Sequence, residues 1–179
     1  MRRTHLAAVA ALAALAVACG SSPSIDEAGD AAGEPADATT AAEPIAVQVG
    51  QKLSVKTPAL VATYALSKAQ VVTSGEYGSK PENGAWLVAY LRVDVAKGET
   101  FACACELSLV QKDGKVRDQA YADIAGKEEF TSTDLKKGQH TDGWVVFDLP
   151  KGQINGSKVQ LKIASLFTDS EYGYWTVKV

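Results

Sequence analysis

The chain has 179 residues, 46% of them hydrophobic and 22% charged, with 18 basic against 21 acidic side chains and a formal net charge of −3. So small an imbalance, with both signs interspersed, excludes the basic footprint of a nucleic-acid binder. No stretch reaches the roughly 17–25 apolar residues that a membrane-spanning helix needs.

The chain opens with Met1-Arg2-Arg3-Thr4-His5 and then the apolar run Leu6 to Val17. A basic start, a short apolar core and small residues before a cleavage point make a secretory signal, assigned to residues 1–18. Leu15-Ala16-Val17-Ala18-Cys19, followed by Gly20 and two serines, resembles a bacterial lipobox. The resemblance implies that Cys19 carries lipid as the first residue of the mature protein, held at the extracytoplasmic face of the cell membrane. More than one acyl chain is needed for firm attachment, and lipoproteins of this type carry at least a diacylglyceryl group. The other outcome is cleavage after the A-x-A site Ala16-Val17-Ala18, which would release the protein with Cys19 as a free thiol.

Residues 19–44 follow as an Ala, Pro and Gly-rich linker with six acids (Asp26, Glu27, Asp30, Glu34, Asp37 and Glu43) and no base. Ile25 is its one large apolar residue, too little to offset the entropy of ordering. The expectation is a disordered tether with a reach of roughly 25–30 Å.

From Ile45 onward the texture is that of short strands split by turns, and 45–179 has the length of one domain. Ile45 to Val49 and Leu53 to Val55 are expected strands, then Ala59 to Thr73, bent or bulged near Ser67-Lys68. Ser74 to Gly84 is a loop. Trp86 to Val95 is the strongest strand, with Leu87, Leu91, Val93 and Val95 on the core face. Trp86, Tyr90, Arg92 and Asp94 share the opposite, wetter face. Phe101 to Val110 reads as one continuous strand, with Phe101, Cys103, Cys105, Leu107 and Leu109 facing the core. Lys112-Asp113-Gly114-Lys115 predicts a type I′ hairpin turn, with a return strand over Val116 to Tyr121. Ala122 to Gly138 is a long polar connection that would cross between sheets. Trp144 to Leu149 is a strand stopped by Pro150, Val159 to Ile163 alternates, and Tyr174 to Val179 closes the chain. About eight strands with frequent turns predict an all-β, antiparallel sandwich or barrel.

Leu135-Lys136-Lys137-Gly138-Gln139, followed by Asp142-Gly143-Trp144-Val145-Val146-Phe147-Asp148-Leu149-Pro150, resembles the signature of a domain of unknown function common in Gram-positive lipoproteins. Trp86 to Val95 is similar to that family's long central strand, and Leu107 to Gly114 to its strand ending in an acid-Gly turn. The family belongs to the immunoprotective extracellular, immunoglobulin-like superfamily. The resemblance implies an immunoglobulin-like antiparallel β-sandwich outside the cytoplasm and supplies no catalytic residues.

Cys103 and Cys105 are the sharpest local feature. Three states are open to them: two buried thiols behaving as small hydrophobes, a disulfide, or soft metal ligands. In a regular strand, residues two apart lie about 6.6–6.8 Å apart at Cα, at the far edge of the bridgeable range, so a disulfide would require a bulge or turn. Beyond the leader the chain offers one histidine, His140, and no methionine, which leaves a closed zinc site short of ligands. His140 beside a strand start reads as a surface residue. No nucleophile elbow, Walker motif, dinucleotide glycine pattern or H-E-x-x-H appears, so neither catalysis nor a cofactor is expected. Tyr77, Tyr172 and Tyr174 sit among glycines at the ends of the sandwich, which makes them candidates for a ligand-binding surface; the other reading places Tyr174 and Trp175 in the last strand, packed at a core edge. Asn155-Gly156-Ser157 fits a glycosylation pattern and also a plain turn. These observations lead to a non-enzymatic, membrane-anchored surface lipoprotein that presents a binding module to an unknown protein or envelope ligand. A redox or metal-handling lipoprotein that uses Cys103 and Cys105 is the alternative.

Overall fold

The computed structural model describes residues 23–28, 44–164 and 170–179. The expected signal peptide, Cys19 and residues 29–43 of the linker lie outside the described residues. Twelve strands are described: β1 (Ser24–Glu27), β2 (Ile45–Gln48), β3 (Lys52–Lys56), β4 (Val61–Val72), β5 (Ala85–Lys97), β6 (Glu99–Ala102), β7 (Leu107–Val110), β8 (Val116–Arg117), β9 (Thr133–Lys136), β10 (His140–Leu149), β11 (Lys158–Ile163) and β12 (Glu171–Thr176). They form one sheet ordered β1-β3-β4-β5-β10, a second ordered β2-β12-β11-β7-β8, and a small β6-β9 ribbon. All pairs are antiparallel except β2 with β12. The two large sheets face each other across a single core, the sandwich that the alternating sequence predicts.

Period-two alternation explains the core. In β5, Leu87, Ala89, Leu91, Val93 and Val95 are all buried, and they meet Phe147 and Leu149 of β10 and Leu109, Leu161 and Trp175 of the second sheet. The expected irregularity in β4 is present: the β4–β5 register shifts between Ser67 and Gln70, and Lys68 has a φ of 51°. Trp175 is fully buried, and its indole Nε1 donates to the Gln51 carbonyl at 3.0 Å.

Four expectations are corrected. Ser24–Glu27 is not part of a disordered tether. It pairs with β3 as an edge strand and buries Ile25 in the core, so one apolar residue suffices when its strand has a partner edge. Phe101 to Val110 is not one strand. A single 3-10 turn, Ala104–Glu106, separates β6 from β7 and inverts the side-chain parity, so Ala102 is buried and Phe101 is 52% exposed. The hairpin after β7 is not type I′. Only Gly114 has positive φ (85°), and its N–H donates to the Gln111 carbonyl at 3.0 Å, the pattern of a type I turn closed by a left-handed glycine. Strand β8 ends at Arg117, because the chain then leaves its hairpin and crosses to the other sheet.

That crossing segment, residues 118–132, positions the candidate site. It runs along the open edge of β10. The Ala120 N–H donates to the Val146 carbonyl at 2.8 Å, the Trp144 N–H to the Glu128 carbonyl at 2.8 Å, and the Phe130 N–H to the Trp144 carbonyl at 2.9 Å. The segment therefore pairs an edge that would otherwise be free to recruit another chain. It also covers the outer face of the first sheet, where Trp86, Val88 and Val146 form a second buried cluster beneath Ala120, Ala122 and Ile124. Only a cavity of about 20 Å³ remains between the segment and the sheet, space for about one water.

Candidate functional site

The outer face of the first sheet becomes polar beyond this covered cluster. Tyr90 of β5 and Trp144 of β10 are cross-strand partners there, with ring centroids 5.3 Å apart in an edge-to-face arrangement. Such pairs have a geometric preference beyond area burial. Each ring carries an ammonium: Lys127 Nζ lies 3.8 Å from the Trp144 centroid and Lys68 Nζ 4.6 Å from that of Tyr90. Both faces are therefore disposed to accept a cation.

These rings floor an open groove of about 640 Å³. Its rim carries five carboxylates, those of Glu76, Asp123, Glu128, Glu129 and Asp142, together with the ammonium of Lys127, and Lys68 over the Tyr90 ring brings a second. Arg92 offsets part of this balance: its guanidinium is held by Asp94 at 2.7 Å and also reaches Asp142 at 3.4 Å. The hydrogen bonds from Arg92 hold the Asp94 carboxyl below the usual carboxylate range. A second groove of about 650 Å³ lies beside the first, and Tyr121, Ala122 and Asp123 line both. They form a ridge crowned by Tyr121, which is 73% exposed and donates from its hydroxyl to Asp123 Oδ1 at 3.1 Å.

Tyr77 belongs to the same neighbourhood. It is 83% exposed in the β4–β5 loop, and the N–H of the adjacent Glu76 donates to the Asp123 carbonyl at 2.8 Å. Asp123 thus bonds both the Tyr121 hydroxyl and the backbone next to Tyr77. Tyr172 and Tyr174 lie elsewhere, in β12 of the second sheet rather than in a loop. Tyr174 accepts from Gln160 Nε2 at 3.2 Å. The three tyrosines singled out from sequence therefore do not share a surface. Tyr121, Tyr90 and Trp144 are the aromatic residues that line the groove. Sequence alternation had placed Tyr90 on the wetter face, but no local signal marked Tyr121 as a ridge residue.

Cys103 and Cys105 are joined by a disulfide with a Cα–Cα distance of 5.0 Å, inside the bridgeable range because the 3-10 turn between them shortens the chain. Neither faces the core: Cys103 is half-buried and Cys105 is exposed. The next residue, Glu106, reaches inward, where its carboxylate accepts from the buried Tyr64 hydroxyl at 3.0 Å. Burial pushes the Glu106 carboxyl up to about 7, against the opposing hydrogen bonds from Tyr64 and the Cys103 backbone. Burial, then the neighbouring carboxylate, raises the Tyr64 hydroxyl far above its ordinary value, so it stays protonated.

The remaining candidates are peripheral. His140 is exposed at the first position of β10, opposite Asp94. Asn155-Gly156-Ser157 forms a turn in which the buried Ser157 hydroxyl donates to the Ile154 carbonyl at 2.7 Å and Asn155 Oδ1 accepts from the Val179 N–H at 2.8 Å. Among the described residues, no group of three or more His, Cys, Asp or Glu is placed to hold a metal ion.

Residues 47–172 match the family described as a domain of unknown function, DUF4352. The chain belongs to this family. A search of the curated proteins finds no match. Among solved structures, the DUF4352 chain is similar to MPT63, a secreted protein from Mycobacterium tuberculosis, with a TM-score of 0.58 at 14% identity over 76% of this chain and 100% of that one. It is also similar to the yjhA protein from Bacillus subtilis, with a TM-score of 0.52 at 14% identity over 64% of this chain and 81% of that one. At such identities the likeness concerns the fold.

Within the DUF4352 segment that carries the sequence resemblance, two residues prove structural. Asp148 accepts from the Glu82 N–H at 2.6 Å and the Asn83 N–H at 2.9 Å, and so clamps the end of the β4–β5 loop. Gly143 is required by close approach: a Cβ there would meet the Phe130 backbone nitrogen at 2.6 Å, where residues 118–132 press against β10.

Proposed function

We propose that this chain is a non-enzymatic, extracytoplasmic binding module anchored through lipid on Cys19, and that the aromatic-floored acidic groove recognises a cationic ligand. The groove carries the reading: a Tyr90–Trp144 floor that already holds the ammonium groups of Lys68 and Lys127, with five carboxylates around it. Complementary charge gives such a surface specificity and fast encounter, and half-exposed rigid aromatics supply contact area at low entropic cost. A lysine- or arginine-rich segment of an envelope protein, or another amine-bearing envelope component, has the matching chemistry.

The leader and lipobox-like residues of the sequence support the extracytoplasmic position, and so does the fold likeness to a secreted protein. No helix among the described residues is long and apolar enough to cross a membrane. Strand β1 alters the geometry of the anchor. It begins at Ser24, so four residues separate it from Cys19, a span of at most about 18 Å. The lipid then holds the sandwich close to the membrane rather than on a long tether.

Trp86 and Trp175 are buried, whereas Trp144 is partly exposed in the groove, so Trp144 reports occupancy by fluorescence. Titration with an oligolysine peptide is expected to give a saturable change that weakens with salt. The Glu128→Gln, Glu129→Gln double variant should weaken it roughly tenfold or more, the size expected when complementary charges are removed. A titration without saturation, or one indifferent to both salt and the double variant, would overturn the groove assignment.

A further inference from the structure

The Cys103–Cys105 bridge lies apart from the groove rim, and three features distinguish it from a structural crosslink. It closes a loop with one intervening residue, Ala104, so it constrains the unfolded chain far less than a bridge between distant elements. Its Cys105 sulfur belongs to an exposed residue, while Cys103 is half-buried. The surrounding turn is also held independently of the S–S bond. Tyr64 holds Glu106 at 3.0 Å, Gln119 Nε2 donates to the Ala104 carbonyl, and the Glu106 N–H donates to the Cys103 carbonyl at 3.2 Å. Cleaving the bridge would leave both sulfurs on a turn still tied at either side, placed to close again.

The Cys105 backbone N–H donates to Cys103 Sγ at 3.0 Å. That contact gives the two sulfurs different roles. A nucleophile reaches Cys105 from solvent, and the departing Cys103 sulfur has a donor already aimed at the charge it acquires.

We propose that Cys103–Cys105 is a thiol–disulfide exchange site, with Cys105 as the attacked sulfur and Cys103 as the leaving sulfur. The co-reactant is a dithiol reductant. One of its thiolates attacks Cys105 Sγ, a new S–S bond forms to that sulfur, and the Cys103–Cys105 bond breaks. The electron pair leaves on Cys103 Sγ, which takes a proton from water. The second thiolate of the reductant then attacks its own sulfur in the mixed disulfide and expels Cys105 as a thiolate. The reductant ends as a disulfide, two electrons poorer, and the protein as a dithiol. Reversal oxidises a partner dithiol. Exposed disulfides are the labile and catalytic class, in contrast to buried ones.

The test uses the folded full-length protein in dithiothreitol and glutathione redox buffers, with alkylation quenching and peptide mapping to separate these thiols from Cys19. Wild type should pass reversibly between bridged and doubly alkylated forms without loss of its β-sheet circular dichroism. Cys103→Ser should accumulate a glutathione adduct on Cys105 at least tenfold faster than Cys105→Ser accumulates one on Cys103. Two results would overturn the proposal: a bridge that resists reduction until the sandwich unfolds, or equal reactivity of the two single variants. Since the wild-type experiment stands alone, misfolding of a variant would not rescue the idea.

Discussion

At the residue scale, Glu106 is the most consequential ionisable group among the described residues. Its carboxyl is pushed up to about 7 because it is buried against Tyr64 beneath the cysteine turn. An unfolded glutamate titrates near 4.3. Between those two values the folded protein binds the proton that the unfolded chain has released, so stability falls as pH rises through this window. The loss is complete above about pH 7 and amounts to at most about 4 kcal/mol. Glu106→Gln keeps a neutral acceptor for Tyr64 and removes the titration. Urea unfolding at pH 5 and pH 8 should show wild type losing stability across the interval and the variant losing much less. Equal pH dependence in the two proteins would place the Glu106 carboxylate in solvent. None of this was visible in the sequence, where Glu106 sat on the outward parity of a supposed continuous strand. The glutamate turns inward because the chain reverses parity at Cys103, and only the bridged 3-10 turn accounts for that.

At the scale of elements, legibility follows the origin of the stabilisation. Strands β5, β10 and β11 were readable because the hydrophobic effect acts on alternate side chains, and Leu87, Leu91, Val93, Val159 and Leu161 are buried as their parity requires. Strand β1 was not readable. Ser24–Glu27 has one apolar residue, and its order comes from backbone pairing with β3, which leaves no compositional mark. The crossing was read over Ala122 to Gly138, later than residues 118–132, and not as the wall of a groove. Its attachment to β10 runs through main-chain bonds from Ala120, Trp144 and Phe130. Gly143 is the one residue type that betrays this contact. Gly143→Ala must displace the Glu129–Phe130 backbone, so it should cost about 1–3 kcal/mol, the usual range for overpacking. Chemical denaturation measures that loss, and amide exchange should accelerate at residues 128–130 before the core strands respond. A fully stable variant with unchanged exchange would mean that the segment is not pressed against β10.

For the whole molecule, the sandwich and the family were legible, because both rest on the patterning of residues 45–179. The proposed groove was not legible as a unit. Tyr77 is exposed in the loop whose neighbour Glu76 lines it, while Tyr172 and Tyr174 occupy a strand of the other sheet. Sequence adjacency to glycine cannot tell which end or face a loop will reach. In the proposed arrangement the anchor and the groove have separate roles. Cys19→Ser should move the protein from the membrane fraction to the soluble fraction and abolish palmitate labelling, with the Trp144 response to oligolysine unchanged. Retention on the membrane would remove lipidation from the proposal and leave a secreted sandwich with the same groove.

The most direct test of the groove is hydrogen–deuterium exchange of the protein with and without saturating oligolysine. Slowed exchange confined to residues 74–79, 118–130 and 140–146 is the expected result, because those segments carry Glu76, Tyr77, Tyr121, Asp123, Glu128, Glu129, Asp142 and Trp144. Protection on β11 and β12 around Tyr172 and Tyr174, or no protection at all, would contradict it.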